Sequence, residues 1–171
     1  RNGITLTNAN NDFGGAVSLF YSGQFPAAII DKNALTLGSV TIGQDLTVRS
    51  NGALNLGSGS VGRNLVATSF NNNAGSTGAI TQSGPLTVGG TSAITAGAAA
   101  ITLTNAANNF TGAVSLTNTG ANNIAIRDTG ALVLSGVSMS NAGGTLTVTT
   151  NGAVTQTGDI LTGTGQVSIA S

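Results

Sequence analysis

The chain has 171 residues, of which 6% are charged and 4% aromatic, and its formal net charge is zero. A neutral chain gives no electrostatic reason to expect nucleic acid or an anionic membrane as a partner. The sequence contains no His, Cys or Glu, so the most common catalytic bases, thiol nucleophiles, disulfides and transition-metal ligands are absent.

Short β-strands are predicted along the whole chain. Aliphatic residues recur at every second position in many short runs, which is the period of a strand with one buried face. Gly, Asn and Ser fill the segments between these runs and favour turns. Disordered chains are poor in aliphatic residues, so the pattern indicates packed strands. No apolar run approaches the roughly 20 residues that a membrane span needs.

The first predicted strands return later in the chain as an internal repeat. Residues 4–19 read ITLTNANNDFGGAVSL and residues 101–116 read ITLTNAANNFTGAVSL, with 13 of 16 positions identical at an offset of 97. A shorter pair, GAITQSG at 78–84 and GAVTQTG at 152–158, matches at an offset of 74. Two different offsets indicate that whole sub-units are dropped or duplicated between copies, which a stacked repeat architecture tolerates.

A finer unit lies within these repeats. Residues 34–52, ALTLGSVTIGQDLTVRSNG, contain three short strands separated by turns. We therefore predict an all-β fold, a right-handed parallel β-helix (β-solenoid) of about seven turns of roughly 19–31 residues with three strands per turn. The chain is expected to be a single solenoid segment, 1–171, internal to a longer repetitive protein. Its turns are predicted near residues 3–33, 34–52, 53–78, 79–99, 100–130, 131–152 and 153–171.

Aligning the first strand of each turn predicts columns of stacked side chains. An antiparallel sandwich, the alternative fold, predicts hairpins and gives no reason for such columns. Longer loops at 9–16, 70–77 and 107–113 are expected at the corners. The first inward column is aliphatic: Ile4, Leu35, Leu54, Ile80, Ile101, Leu132 and Val154. The second inward column is Leu6, Leu37, Leu56, Gln82, Leu103, Leu134 and Gln156, and the outward column is Thr5, Thr36, Asn55, Thr81, Thr102, Val133 and Thr155. Because an unpaired buried amide is unfavourable, Gln82 and Gln156 are expected to be hydrogen-bonded to the backbone or to water, or alternatively to face solvent at a corner.

The residues offer little for catalysis. The acidic side chains are Asp12, Asp31, Asp45, Asp128 and Asp159. Asp31 and Asp128 are equivalent in the repeat and are expected four turns apart, whereas a glycosidase needs two carboxylates within about 10 Å of each other. We therefore expect these aspartates to be turn residues and assign no catalytic residue, cofactor or metal ligand. The Gly-rich runs lack the Lys and the following helix of a phosphate loop.

One loop is a candidate binding patch. Residues 20–26 read FYSGQFP where the second copy reads TNTGANN, so the first copy gains Phe20, Tyr21 and Phe25. Exposed aromatic residues mark interaction sites; alternatively, these rings pack over the corner or the preceding turn. The outward threonine column suggests ice binding as a further alternative, but its interruptions argue against that function.

The repeats ITLTNA, GAVSL, LTVxxNGA and GAITQSG resemble the shaft repeats of filamentous haemagglutinin-like exoproteins. These are large adhesins of Gram-negative bacteria that are exported by two-partner secretion. The resemblance covers essentially the whole chain. It implies a right-handed β-helix on the cell surface, an outer-membrane partner during export, and a role in adhesion, biofilm formation or contact-dependent toxin delivery. The family's Asn-Pro-Asn-Gly-type secretion motif is not found here, so the chain corresponds to the middle of a shaft.

We therefore expect a secreted structural shaft of a Gram-negative surface adhesin that is not an enzyme. Its contacts with host or neighbouring cells are expected through other regions, and end-to-end or lateral self-association is left open. The alternative is a β-solenoid binding module that contacts a glycan or a partner protein through Phe20, Tyr21 and Phe25. Ice binding and polysaccharide cleavage are weaker alternatives.

Overall fold

The computed structural model describes residues 3–69, 78–139 and 143–171, and these residues contain only strands, turns and loops. Among them there is no helix that could cross a membrane. The predicted corner loop 70–77 lies outside the described residues. The strands are β1 (Ile4–Leu6), β2 (Val17–Tyr21), β3 (Ala27–Asp31), β4 (Leu35–Ile42), β5 (Leu46–Ser50), β6 (Leu54–Asn55), β7 (Ser58–Val61), β8 (Leu65–Ser69), β9 (Ile80–Thr81), β10 (Leu86–Val88), β11 (Ser92–Ala96), β12 (Ile101–Leu103), β13 (Asn109–Phe110), β14 (Val114–Asn118), β15 (Ile124–Asp128), β16 (Leu132–Met139), β17 (Thr145–Thr150), β18 (Val154–Gln156), β19 (Ile160–Leu161) and β20 (Gln166–Ala170).

The strands stack as a parallel β-solenoid of about seven turns, which confirms the predicted fold class. One sheet has the order β1-β3-β5-β8-β11-β14-β16-β18, with β19 also beside β16. The other has the order β13-β10-β7-β4-β6-β9-β12-β15-β17-β20, with β2 also beside β4. All of the described strand pairs are parallel.

The solenoid has three sides, because β4 and β16 each bend around a corner. The start of β4 pairs with β6 and its end with β7; β16 pairs with β18 through its start and with β19 through its end. In each turn the chain visits side A, then side C, then side B. Side A consists of β1, β3, β5, β8, β11, β14, the end of β16 and β19. Side B consists of β2, the end of β4, β7, β10, β13, the start of β16 and β18. Side C consists of the start of β4, β6, β9, β12, β15, β17 and β20.

The strand register along side A gives the length of each turn. Ile4 pairs with Ala27, Ala27 with Leu46, and Leu46 with Leu65, so these turns have 23, 19 and 19 residues. Leu65 pairs with Ser92, so this turn has 27 residues. The turns therefore differ in length while the strands remain aligned, because the additional residues lie between the strands.

The predicted first inward column is confirmed in the middle of the chain. Leu35, Leu54, Ile80 and Ile101 stack in this order on side C, and all four are buried. Their aliphatic side chains supply the same shape to each successive turn. Contacts of this kind bury apolar surface at every turn and stabilise the stack.

The same column is wrong at both ends. Ile4 pairs with Ala27 on side A, so it does not begin the column on side C. After Ile101 the next member is Ile124, and the predicted member Leu132 belongs to β16, on side B. The turn boundaries that were drawn from this column shift accordingly.

The physical reason is that the long repeat does not span a whole number of turns. Four turns along side A lead from Ile4 to Ser92, and the chain then advances one further side to reach Ile101. The short repeat advances in the same way, from Ile80 on side C to Val154 on side B. Equivalent residues of two copies therefore lie on different sides, and an alignment based on similarity alone mixes the sides.

The two glutamines of the second inward column behave differently. Gln82 is half-buried, and its Nε2 donates to Oδ1 of Asn108 at 2.7 Å while its Oε1 accepts from Nδ2 of Asn108 at 2.9 Å. The prediction of an inward, hydrogen-bonded amide is therefore confirmed for Gln82. Gln156 pairs in register with buried Leu134 but is exposed, because it lies in the last described turn. Gln156 therefore matches the alternative, an amide that faces solvent.

The inner columns merge into one apolar core that runs along the solenoid. It consists almost entirely of Leu, Ile, Val and Ala, and Phe110 is the one fully buried aromatic residue in the described part of the chain. In the described residues, the first and the last turn each pack on one neighbouring turn only, so their inner side chains are less buried. Ile4 is only half-buried in the first turn, and Val167 and Ile169 are each 49% exposed in the last.

The Gly-rich run at 57–62 forms part of the stack, as expected for structural glycines. Gly57 and Gly59 have φ values of 67° and 133°, which residues other than glycine rarely adopt. A Cβ atom at Gly59 would lie 1.9 Å from the carbonyl oxygen of Val40 in the neighbouring turn. The backbone of β7 can therefore approach β4 only because position 59 is glycine.

Replacing Leu103 with Asp is expected to destabilise the solenoid severely. Leu103 is fully buried, and a buried charge without a partner is very unfavourable. We expect the free energy of unfolding to fall by about 4 kcal/mol or more, as measured by urea denaturation. Thr102→Asp on the outer face of the same strand is the control, with an expected change within about 0.5 kcal/mol. Equal effects of the two substitutions would contradict the assignment of the faces of β12.

Candidate functional site

Asp128, at the end of β15, is the acidic residue in the second copy of the repeat, and it is buried. Its side chain is 1% exposed. The carboxylate accepts one hydrogen bond from the backbone N–H of Phe110 at 2.6 Å and another from the backbone N–H of Gly130 at 2.6 Å. Backbone N–H groups in a buried corner need acceptors, and charge-assisted bonds are stronger than neutral ones. Asp128 therefore joins two successive turns at their corner.

Asp31 has the same role in the first copy. It is 0% exposed, and its carboxylate accepts hydrogen bonds from the backbone N–H groups of Phe13 and Asn33, both at 2.8 Å. These bonds agree with the predicted turn role. Asp31 lies on side A and Asp128 on side C, so the two carboxylates do not face a common substrate. Both oxygens of each carboxylate are engaged by the backbone.

Asn108 is a structural residue that the sequence analysis did not identify. It is fully buried; its Nδ2 donates to the carbonyl of Leu103 at 3.1 Å, and its Oδ1 accepts from the N–H of Leu86 in the preceding turn at 3.0 Å. The equivalent Asn11 donates to the carbonyl of Leu6 at 2.9 Å. The signal was present in the sequence, because this asparagine is kept in both copies of the repeat.

A groove of about 510 Å³ lies beside the first corner, between residues 12–16 and 33–36. Asp12, its one acidic lining residue, forms an ion pair with Lys32 at 2.7 Å and accepts from Nδ2 of Asn33 at 3.0 Å. The hydrogen bond from Lys32, assisted by Asn33, lowers the pKa of the Asp12 carboxyl below its usual range. The groove thus contains one paired carboxylate, whereas glycoside hydrolysis uses two.

Asp45 belongs to a polar ladder at the corner before side A. Its carboxylate accepts from the backbone N–H and from Nδ2 of Asn64, both at 3.0 Å, and lies 3.8 Å from Nε of Arg63. Oδ1 of Asn64 in turn accepts from the N–H of Thr91 at 2.9 Å. Each side chain thereby fixes the corner of the next turn. In residues 3–69, 78–139 and 143–171, no group of three or more His, Cys, Asp or Glu side chains is arranged to hold a metal ion.

The three aromatic residues of the predicted patch do not share one surface. Phe20 points outward from β2 and is 77% exposed, and Phe25 is 46% exposed in the corner before β3. Tyr21 pairs in register with buried Ile42 and packs against the core while half-buried. The alternation of the strand accounts for the difference, because neighbouring residues of a strand face opposite sides of the sheet.

Phe20 is unusual in its surroundings on side B. The residues that follow it along the same outward column are short and polar: Thr41, Ser60, Thr87 and Asn109. A large exposed ring at one end of a polar column is the kind of group that anchors protein or ligand contacts. Phe20 and Phe25 are thus the candidate binding residues on the outer surface.

Only the middle members of the predicted threonine column stack on side C. Thr36, Asn55 and Thr81 stack in register, but Thr102 is followed by Ala125. The change has the same cause as the break in the aliphatic column, since Thr102 lies in β12 beside Ile101. A regular threonine array of the predicted extent is therefore not formed.

Most of the chain matches one protein family. The family is described as "Repeats of unknown function (DUF5649)", and the match covers residues 1–20, 43–117 and 121–171. Residues 21–42, which include Tyr21 and Phe25, lie between two matched segments. No curated protein and no solved structure matches the chain.

Asp128→Ala is expected to destabilise the solenoid by about 2–4 kcal/mol, because two buried backbone N–H groups lose a charged acceptor. Urea denaturation measures the change in the free energy of unfolding. Native-state hydrogen exchange should be faster at the N–H groups of Phe110 and Gly130. Asp159→Ala is the control, since Asp159 is exposed. An unchanged exchange rate at Phe110 would argue against the capping role.

Lys32→Ala is expected to raise the pKa of Asp12, because the ion pair with Lys32 is the main cause of its lowered pKa. A lowered pKa in the folded state means that the pairing stabilises the fold above the ordinary pKa of an aspartate. That contribution is lost as the pH falls through the lowered value. A ¹³C NMR titration of the Asp12 carboxyl in both proteins measures the shift. The same midpoint in both would contradict the ion pair.

Proposed function

The chain belongs to the DUF5649 family of repeats of unknown function, and we propose that it is a structural shaft segment of a large secreted bacterial surface adhesin. In this role it projects a distal functional region away from the cell, for adhesion, biofilm formation or contact-dependent delivery. It has no catalytic activity of its own.

The continuous apolar core is the observation that carries this proposal. Each turn packs only on the turns before and after it, so length is added without changing the fold. Stacked strands lie about 4.8 Å apart, and seven turns extend roughly 34 Å along the axis. Backbone hydrogen bonds run in the same direction. A rod of this kind can hold a distal region away from the cell and can carry force along its axis.

The acidic residues supply a second line of support. Asp31 and Asp128 are buried and bonded to backbone N–H groups, while Asp12 and Asp45 lie beside Lys32 and Arg63. These four carboxylates thus have structural partners. General acid–base catalysis needs a group that can reach a substrate and exchange a proton with it.

The location outside the cell rests on the resemblance of the repeats to filamentous haemagglutinin-like shafts. We propose export through an outer-membrane secretion partner and display on the surface of a Gram-negative bacterium. The lack of Cys suits this route, because an oxidising compartment would otherwise oxidise or mispair free thiols. Contacts with host or neighbouring cells are assigned to other regions of the adhesin.

A second candidate function is a binding module that acts through the side of the solenoid. The observation that favours it is the 77% exposure of Phe20 beside a column of short polar residues. Its ligand would be a glycan or a partner protein that stacks on an aromatic ring.

A binding screen separates the two functions. Wild-type protein is compared with the double variant Phe20→Thr/Phe25→Asn, which carries the residues found at Thr117 and Asn122 of the second copy, on glycan arrays and on host cells. Tyr21 stays unchanged because it packs against the core. The shaft function predicts that neither protein binds.

Binding by the wild type that is lost in the double variant would favour the module instead. Val66→Thr is the matched control, because Val66 is an exposed apolar residue on side A, at 41% exposure. Turnover of a polysaccharide by the wild type would overturn both functions.

A further inference from the structure

We propose that Asn51 and Asn151 are sites of spontaneous deamidation in the folded protein. At each site the nucleophile is the backbone nitrogen of the glycine that follows the asparagine. The reaction converts the side-chain amide into a carboxylate, and water is the only other reactant. This inference rests on the corners of the solenoid and does not depend on the proposed role in an adhesin.

Both asparagines belong to an Asn-Gly pair. The sequence contains three such pairs, of which 51–52 and 151–152 lie entirely within the described residues. Each of these two pairs forms the bend that follows a strand, β5 in one case and β17 in the other. Glycine has no Cβ atom, so nothing shields its nitrogen from the amide carbon of the preceding asparagine. The two pairs are therefore the least hindered asparagine sites in the described chain.

The residue that ends the strand decides whether the N–H group of the corner is occupied. Asp31 and Asp128 end their strands at two corners of this kind. The carboxylate of Asp31 accepts from the N–H of Asn33 at 2.8 Å, two residues later. The carboxylate of Asp128 accepts in the same way from the N–H of Gly130 at 2.6 Å. At these corners a charged acceptor holds the N–H group.

The strand before Asn51 ends in Ser50, which is the register neighbour of Asp31. The Ser50 hydroxyl donates to the carbonyl oxygen of Gly52 at 2.7 Å, and it does not accept from the N–H of that residue. In the described part of the chain, the N–H of Gly52 has no acceptor. Its nitrogen is therefore available for attack once it has lost its proton.

The corner at Asn151 is built in the same way. Thr150 is the register neighbour of Asp128, and its hydroxyl donates to the carbonyl oxygen of Gly152 at 2.5 Å. Among the described residues, no acceptor binds the N–H of Gly152. Asn151 is exposed and Asn51 is half-buried, so water reaches both side chains and the released ammonia can leave.

The chemistry follows from this arrangement. The glycine nitrogen attacks Cγ of the asparagine and forms a new C–N bond. The side-chain nitrogen leaves as ammonia, and the proton lost by the glycine is transferred to it through water. Water then opens one of the two C–N bonds of the succinimide ring, which gives aspartate or isoaspartate. A carboxylate bound to the N–H, as at Gly130, opposes the first step because it disfavours negative charge on that nitrogen.

Each event changes the charge and the shape of a corner. The new carboxyl group is ionised at neutral pH, so one negative charge is added to a chain whose formal net charge is zero. Isoaspartate also adds a methylene group to the main chain. Little space exists for it at Gly52, where a Cβ atom would lie 3.0 Å from the backbone nitrogen of Ala34. Isoaspartate at position 51 should therefore loosen the contact between these two turns.

Thr129→Asn supplies a matched control. Thr129 is exposed and precedes Gly130, so the substitution creates a further Asn-Gly pair at a corner where the glycine N–H is bound to Asp128. The variant is incubated at mildly alkaline pH, both folded and in concentrated urea. Peptide mapping by mass spectrometry gives the rates of conversion at positions 51, 129 and 151, and circular dichroism verifies the fold.

In the folded protein we expect aspartate and isoaspartate to form at Asn51 and Asn151. Position 129 should convert about tenfold more slowly, which corresponds to a barrier higher by about 1.4 kcal/mol. In urea the three rates should be similar, because the bond between Gly130 and Asp128 is lost. Asn51→Gln should remove one of the acidic species in isoelectric focusing, because the longer side chain forms its ring more slowly.

Either of two results would overturn the proposal. One is a folded protein in which Asn51 or Asn151 stays unconverted during the time in which the chain in urea converts completely. The other is conversion at position 129 of the folded variant as fast as at Asn51, which would show that the glycine N–H bond does not control the reaction.

Discussion

The stacking of one turn on the next is the interaction on which the whole structure depends. Nearly every strand has its hydrogen-bonding partners in the preceding and following turns, so each turn must return to the same three sides. Corners are the difficult points, because the backbone leaves the ladder there and its N–H groups need other acceptors. Asp31, Asp128 and Asn108 fill this need from buried positions. The few acidic side chains of the chain are mostly used for closing corners.

The sequence predicted the architecture because its two signals are physical requirements of a stack. Alternation of aliphatic residues identified the strands, and like residues at Leu35, Leu54 and Ile80 identified the turns. The side of each strand was predicted less well. Similarity placed Leu35 and Leu132 in one column, although the chain had advanced by one side between the two copies. Counting three strands per turn through the long repeat, instead of aligning it, would have revealed the advance.

The candidate site was predictable in part. Comparing FYSGQFP in the first copy with TNTGANN in the second identified the aromatic residues. Because residues 20–26 were predicted to be a loop, the direction of each ring was not predicted. Strand β2 extends through Tyr21, so the alternation that buries Leu19 also turns Tyr21 inward and Phe20 outward. Asn108 was missed for another reason. Its hydrogen bond with Leu86 joins two turns, and the spacing of residues within one turn does not predict contacts between turns.

The advance of one side per repeat has a mechanical consequence. Corners of different length and composition are the softer parts of a solenoid, and in a chain with whole-turn repeats they would line up along one edge. Here equivalent corners occur on side A in one copy, as at Asp31, and on side C in the next, as at Asp128. Softer and stiffer edges therefore alternate around the axis. In the described chain, these two corners therefore do not lie along the same edge of the solenoid.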